Sequence, residues 1–316
     1  MAAGRAQEAA RLLSAAAAAG DKDALHMLAQ WRIAGTIARR DLSAARRHLG
    51  EAAKRGHVDA ALLEANFTAA GVGGAADWPA AVAALGRLEH RSGRAARQLH
   101  MLGKMDLAPD GTPAAVPMAH PVSEAPQVLL GARLLTQPQC DYLREIAAPM
   151  LQPSVIVDPQ TGRMVPNPVR TSDGAVFGVH SEDLVVNAIN RRIAAFSGTA
   201  VAQGEPLQLL RYRPGAEYRP HFDAIGGEAN QRILTVIVYL NDDFEGGETA
   251  FPRTGFQFRG AAGDAILFRN VLPNGQPDPQ MLHAGLPVGR GTKSIATRWI
   301  RRSAFTYPPP VPLLDI

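Results

Sequence analysis

Two patterns of apolar and polar residues divide the chain. Through residues 1–105 the apolar positions are filled by Ala and Leu, interleaved with Arg, and β-branched residues are almost absent. That mixture predicts amphipathic helices, placed here at 8–19, 23–33, 42–55, 59–68, 79–91 and 95–101. A repeat runs through them. Ala-Ala-Gly-Asp-Lys-Asp-Ala-Leu at 18–25 recurs as Lys-Arg-Gly-His-Val-Asp-Ala-Ala at 54–61, and more faintly as Arg-Ser-Gly-Arg-Ala-Ala-Arg-Gln at 91–98. Gly20, Gly56 and Gly93 fall 36 and 37 residues apart, each expected just past one helix and before the next. Helix pairs at such a period predict an α-solenoid. Five prolines between 109 and 126 then predict a linker over 106–126.

Beyond the linker, Val, Ile, Phe and Thr alternate with polar residues. Helices are expected at 138–148, after Thr136, and at 182–196, after Ser181. A strand–turn–strand is expected around 155–165, with its turn at 159–162. From Leu207 onward short strands recur at 207–212, 218–223, 232–241, 248–251, 255–259, 264–269, 281–288 and 293–302, separated by Gly, Pro, Asn and Asp. This spacing predicts a β-sandwich or barrel, a jelly roll being one version.

Charge and cysteine content narrow the field. Residues 1–105 hold 15 basic and 9 acidic side chains, and the rest 18 and 20. The excess is spread along helices without a dense basic cluster or aromatic platform, so nucleic acid is not an expected partner. One Cys in 316 residues forms neither an intrachain disulfide nor a thiolate cage. No apolar run approaches the length of a membrane span. The opening stretch is short, rich in Ala and carries Glu8, which does not suit a secretory signal. A cytoplasmic location is the expectation.

Candidate chemistry gathers in the second part. His221 and Asp223 are two apart on an expected strand and therefore share a face. Only His180, His221 and His283 lie beyond the linker, and His180 reads as surface beside a helix start. His221, Asp223 and His283 match the facial set of two imidazoles and one carboxylate found in non-haem iron(II) sites. Of the 18 basic residues after position 105, 17 are Arg and one is Lys293. One Lys in a stretch that otherwise uses Arg suggests a role for a compact, flexible ammonium rather than a planar fork, and a buried carboxylate partner would suit it.

The stretch from 153 to 302 resembles the prolyl 4-hydroxylase family of iron(II)- and 2-oxoglutarate-dependent dioxygenases. The residues carrying the resemblance are Arg170-Thr171-Ser172, the run Tyr212, Gly215, Tyr218, His221, Asp223, and Arg232 through Thr235 and Tyr239 to Asp242. Further on come Gly246-Gly247-Glu248-Thr249 with Phe251-Pro252, Gly263-Asp264, His283 with Gly285 and Pro287, Gly291-Thr292-Lys293, and Trp299-Ile300-Arg301. Residues 1–105 resemble the Sel-like repeats, relatives of the tetratricopeptide repeat.

The resemblance implies a helical repeat domain over 1–105, a linker over 106–126, a double-stranded β-helix oxygenase over 127–305 with flanking helices, and a Pro-rich tail over 306–316. It implies iron(II) on His221, Asp223 and His283, with 2-oxoglutarate and dioxygen as co-substrates and ascorbate as a family expectation. Lys293 would pair with the distal carboxylate of 2-oxoglutarate, with Thr235 as a hydrogen-bond partner and Tyr239 and Tyr212 nearby. Tyr218, Arg232 and Trp299 would border the peptide. Tyr239, Tyr218 and Trp299 also suit plain core packing. The implied reaction is hydroxylation of a prolyl residue in a protein or peptide as 2-oxoglutarate is converted to succinate, with the repeats binding a protein. Two alternatives stay open: another side chain or small molecule as substrate, or a silent binding scaffold. Ser294, Arg301 and the short segment 224–231 depart from the family pattern and leave the substrate open.

Overall fold

The structure, a computed structural model, describes residues 2–157, 164–306 and 312–314. The chain forms two compact units, Met1–Ala114 with Val179–Ala188 and Thr306–Ile316, and Ala115–Gly178 with Ile189–Phe305.

The first unit holds α1 (Ala2–Ala18), α2 (Lys22–Ala34), α3 (Leu42–Lys54), α4 (Val58–Ala70), α5 (Trp78–Gly86) and α6 (Gly93–Leu102). Short acidic caps start three of them. Asp21 accepts from the Asp23 and Ala24 N–H groups, Asp41 from Ala44 and Asp77 from Ala80. Each removes orphan donors that would otherwise face water or nothing. Gly20 and Gly56 turn the chain with φ of +90° and +83°. Gly93 departs from the expected pattern. It is the first residue of α6, capped by the Ser92 hydroxyl, and a short 3-10 turn at Glu89–Arg91 makes the reversal instead. The core uses small residues for close approach, with Leu25, Ala29, Ile33, Leu49, Ala52, Leu63 and Phe67 in one buried cluster. The C-terminal tail rejoins this unit. Leu313 and Leu314 donate backbone hydrogen bonds of 2.8 Å to Thr36 and Ile37, and Leu314 is buried. The polyproline run at 307–311 and the turn expected at 159–162 lie outside the described residues.

In the second unit the strands are, in chain order, β1 (His120–Glu124), β2 (Gln127–Gly131), β3 (Gln152–Pro153), β4 (Val155–Val157), β5 (Met164–Pro166), β6 (Asp173–Phe177), β7 (Leu207–Tyr212) and β8 (Tyr218–His221). They continue as β9 (Arg232–Tyr239), β10 (Glu245–Gly246), β11 (Thr249–Phe251), β12 (Phe256–Phe258), β13 (Ala265–Arg269), β14 (His283–Gly285), β15 (Val288–Arg290) and β16 (Lys293–Arg301). Eight form one sheet in the order β1-β2-β13-β9-β16-β7-β6-β3, and four form a smaller one, β12-β11-β14-β8. The pairings are antiparallel, and the inward residues of both sheets meet in one core. Leu210, Ile237, Tyr239, Phe268 and Ile295 from the large sheet pack with Phe251, Phe256 and Phe258 from the small one. This is the jelly roll expected from the strand spacing. Two helices flank it. In α7 (Gln137–Ala147) the Thr136 N–H donates to Gln139 Oε1 at 2.9 Å. α8 (Leu184–Ser197) is capped by Asp183, not Ser181, because the Asp183 carboxylate reaches the Val186 N–H at 2.9 Å.

The expected linker is part strand. β1 falls inside 106–126 and pairs with β2. Its prolines are tolerated because β1 is the sheet's edge, where a missing N–H leaves no neighbouring strand unsatisfied.

One turn fixes the end of β9. Gly263 has φ of +90°, donates to the Tyr239 carbonyl and accepts from the Leu135 N–H. An added Cβ would stand 2.0 Å from the Leu135 carbonyl oxygen. Gly263→Ala is therefore expected to lower unfolding free energy by roughly 3 kcal/mol or more, from left-handed strain plus a backbone clash. Denaturant melts compared with Gly255→Ala, where nothing lies within 4 Å, check this.

Candidate metal centre and active site

β8 and β14 pair in a register that sets His221 opposite His283. The two rings lie 4.3 Å apart between centroids, and Tyr218 stacks flat on His221 at 3.5 Å. Each imidazole is oriented by a backbone carbonyl: His221 Nδ1 lies 2.8 Å from Arg219 O, and His283 Nδ1 lies 2.9 Å from Met281 O. A carbonyl only accepts, so Nδ1 carries the proton and Nε2 presents a lone pair. Both Nε2 atoms face Asp223, at 3.6 Å from Oδ1 and 3.5 Å from Oδ2. These separations are too long for good hydrogen bonds and suit donors around a shared cation. One ligand atom from each of the three residues falls within 4.8 Å of the others, the one such group among the described residues.

Protonation agrees with that use. Burial, then the nearby His283 ring, pushes the His221 imidazole down to about 4. Burial alone would raise the Asp223 carboxyl. The His283 and His221 rings and the Thr235 hydroxyl outweigh it and hold the group below its ordinary value. An ionised carboxylate beside an unprotonated His221 ring is the state that metal binding requires.

Beside the cluster lies Lys293, 2 % exposed. Its Nζ donates to the Gly247 carbonyl at 2.6 Å and sits 5.5 Å from the ring centroids of Tyr212 and Tyr239. No carboxylate is within ion-pairing distance among the described residues, and burial pushes the ammonium down to about 8 against a weaker opposing pull from Glu248. The pocket shared by Lys293 and the cluster is lined by Leu210, Ile237, Thr249, Ile295, Thr297 and Trp299, with Tyr212 and Tyr218 at its sides.

Thr235 and Tyr239 are not on this lining. Thr235 was expected beside a co-substrate carboxylate; its hydroxyl instead donates to Asp223 Oδ2 at 2.6 Å. The reason is register, since Thr235 lies opposite Trp299 on β16, six residues along the strand from Lys293. The Tyr239 hydroxyl pairs with Thr249 Oγ1 at 2.8 Å, so the nearer Thr249 faces the pocket. Arg232 sets a two-pronged ion pair on the buried Glu205, at 2.6 and 2.8 Å, and lies over the Trp299 ring at 3.9 Å. Arg301 shares the same carboxylate at 2.5 Å. The buried Trp299 Nε1 makes no hydrogen bond.

Thr249, Thr297, Glu205 and Asn270 were not singled out from the sequence as site residues. A signal existed for Thr297. Lys293, Ile295, Thr297 and Trp299 alternate along β16, so the strand's period of two carries all four into one pocket.

The cost of burying Lys293 generates a stability prediction. Its ammonium is favoured more in the unfolded chain, at the ordinary 10.5, than in the fold, at about 8. Between those values the unfolded chain binds more protons, so stability rises with pH there. Lys293→Met is expected to stabilise the protein at pH 7. That advantage should shrink by roughly 3 kcal/mol by pH 10.5. Paired denaturant melts of the variant and wild type across this range test it.

Comparison with known proteins bears on the same stretch. The family described as the 2OG-Fe(II) oxygenase superfamily matches residues 207–301, which include His221, Asp223, His283 and Lys293. Prolyl 4-hydroxylase 1 of Arabidopsis thaliana is 39 % identical over 203 residues, covering 58 % of this chain and 71 % of that protein. A viral collagen prolyl hydroxylase from Paramecium Bursaria Chlorella virus-1 is 27 % identical with a TM-score of 0.45, over 55 % of this chain and 95 % of that one. A Sel1 repeat protein from Oxalobacter formigenes is 24 % identical with a TM-score of 0.29, over 30 % of this chain and 72 % of that one. With a relative this similar matched over most of its length, and with the buried histidine–aspartate cluster inside the matched region, the chain belongs to the prolyl 4-hydroxylase family of 2-oxoglutarate- and iron(II)-dependent oxygenases.

Proposed function

We propose that the second unit hydroxylates a prolyl residue in a protein or peptide while converting 2-oxoglutarate to succinate. The observation that carries this reading is Lys293, a buried ammonium beside the cluster with one carbonyl, two aromatic faces and no carboxylate partner among the described residues. An unpaired buried cation calls for an anionic guest, and the distal carboxylate of 2-oxoglutarate supplies one.

His221, Asp223 and His283 would hold iron(II) through two Nε2 atoms and a carboxylate oxygen. Iron(II) with 2-oxoglutarate and dioxygen supplies the oxidation, placing one oxygen atom in the substrate C–H bond and the other in succinate as carbon dioxide leaves. The chain's own residues do the rest. Backbone carbonyls hold the imidazoles in the metal-binding tautomer. Leu210, Ile237 and Ile295 line the pocket with apolar surface and limit water around the reacting groups. Tyr239 fixes the Thr249 hydroxyl, and Tyr212 and Tyr239 flank the ammonium. Tyr218, stacked on His221, and Trp299, braced by Arg232, form the sides against which a prolyl ring would lie.

The resemblance of the helical unit to Sel-like repeats supports recruitment of a protein substrate or partner there. Ascorbate as a reductant and a cytoplasmic site of action complete the proposal. Among the described residues no helix is long and apolar enough to cross a membrane.

Two measurements test the function. Succinate release with iron(II), oxygen and proline-containing peptides is expected to rise with peptide, the peptide gaining one oxygen on proline, and His283→Ala is expected to abolish it. Peptide-independent turnover that no prolyl peptide stimulates would refute prolyl specificity. Separately, kcat/KM for 2-oxoglutarate reports the free enzyme. It is expected to fall above pH 8 as Lys293 loses its proton, approaching about tenfold per pH unit. A flat profile to pH 9.5 would remove Lys293 from that role.

A further inference from the structure

Behind the metal cluster, on the side away from the pocket, lies a chain of three buried polar side chains. The Thr235 hydroxyl is 2.6 Å from Asp223 Oδ2, and Asn270 Nδ2 is 2.9 Å from Thr235 Oγ1. Asp223, Thr235 and Asn270 are all nearly inaccessible to water, at 5 %, 0 % and 2 % exposure.

The direction of these bonds follows from counting protons. A carboxylate only accepts, so the single Thr235 proton goes to Asp223. The hydroxyl oxygen must then accept, which requires the NH₂ end of Asn270 to face it. The alternative, Thr235 donating to Asn270 Oδ1 at 3.3 Å, would leave Asp223 without its shortest contact. Asn270 is itself held at both backbone ends. Its N–H donates to the Ile233 carbonyl at 2.9 Å, and its carbonyl accepts from the Asp278 N–H at 3.0 Å. The chain of donors therefore starts from a fixed point and ends on one named oxygen.

We propose that Asn270 and Thr235 are positioning residues that hold Asp223 by Oδ2, the oxygen 3.5 Å from His283 Nε2, and so fix the orientation in which the carboxylate meets the cation. This rests on the metal-site reading above, and it reassigns Thr235 from the co-substrate to the metal. Neither residue lines the pocket, and Thr235 reaches it only through Asp223. Their effect is to remove rotational freedom from a ligand before the metal arrives, which strengthens binding without a new contact to it.

The test is cobalt(II) titration of the full chain without 2-oxoglutarate or peptide, followed by the visible absorption of the bound ion. Thr235→Val, nearly the same shape without the hydroxyl, is expected to weaken cobalt(II) binding by about tenfold or more and to alter the spectrum. Thr235→Ser keeps the proton and is expected to restore both. Asn270→Leu is expected to weaken binding by about threefold in the wild type and by nothing further beside Thr235→Val, since Asn270 acts through that hydroxyl. With iron(II) saturating, KM for 2-oxoglutarate should be the same in Thr235→Val as in wild type.

Cobalt(II) affinity within about twofold of wild type in folded Thr235→Val would overturn the proposal, because loss of such outer contacts ordinarily costs far more. Equal weakening by Asn270→Leu in both backgrounds would also overturn it, since the residue would then be acting through general packing. If Thr235→Val fails to fold, Asn270→Leu and Thr235→Ser still decide: weakening by the first with none in the second supports the relay, and any other pattern refutes it. None of these readouts involves proline. A relay that behaves as expected in a protein that releases no succinate would sink the functional reading alone.

Discussion

The pairing of β8 with β14 is the constraint on which the site depends. It sets His221 opposite His283, so that both rings face Asp223. Side chains alternate across a strand, so a slip of one residue would carry His283 to the other face and leave His221 and Asp223 without their third ligand. The small sheet is short, and its hold on the register comes from packing. Phe251 lies edge-on to Phe268 of the large sheet and at 5.8 Å from His283, while Phe268 lies at 5.0 Å from the same ring. The aromatic core between the sheets thus holds one member of the candidate metal cluster directly.

The arginines around Glu205 and the buried Lys293 are handled in opposite ways. The Arg232 and Arg301 guanidiniums converge on Glu205, and their positions are settled within the chain. Lys293 has only a carbonyl and aromatic faces. A planar fork suits permanent two-pronged pairing, whereas an ammonium accepts a partner from outside with little geometric demand. The contrast separates a group that braces Trp299 from one with no carboxylate partner among the described residues.

Much of this could be read from the sequence because its periods are short. His221 and Asp223 two apart, and the alternating run from Lys293 to Trp299, declare a shared face without any tertiary information. The helix pairs of the first unit were legible from Ala-rich composition and the recurring glycine turns at Gly20 and Gly56. Contacts that join distant strands were not. Thr235 lies twelve residues from Asp223 and thirty-five from Asn270, and which of several neighbours its one proton would choose depends on the β9–β13 and β8 geometry. The assignment of Thr235 to the co-substrate came from the family resemblance, and a resemblance does not say which of several neighbours its one proton meets. β1 was missed because proline density argues against regular structure, and that argument weakens at a sheet edge.

That edge has a consequence for how the two units can be parted. β1 covers Gln127–Gly131, whose Val128, Leu129 and Leu130 would otherwise offer an unpaired apolar backbone to any neighbouring molecule. The proline-rich stretch ahead of the oxygenase therefore also caps the sheet. Pro121 within it lacks the N–H that a further strand would need at that point. A recombination that joined this jelly roll to a different partner at residue 127 would inherit a sticky border, and one made before residue 115 would carry its own seal. Modular exchange of the helical repeats is thus limited to the upstream cut, and β1 has to travel with the oxygenase.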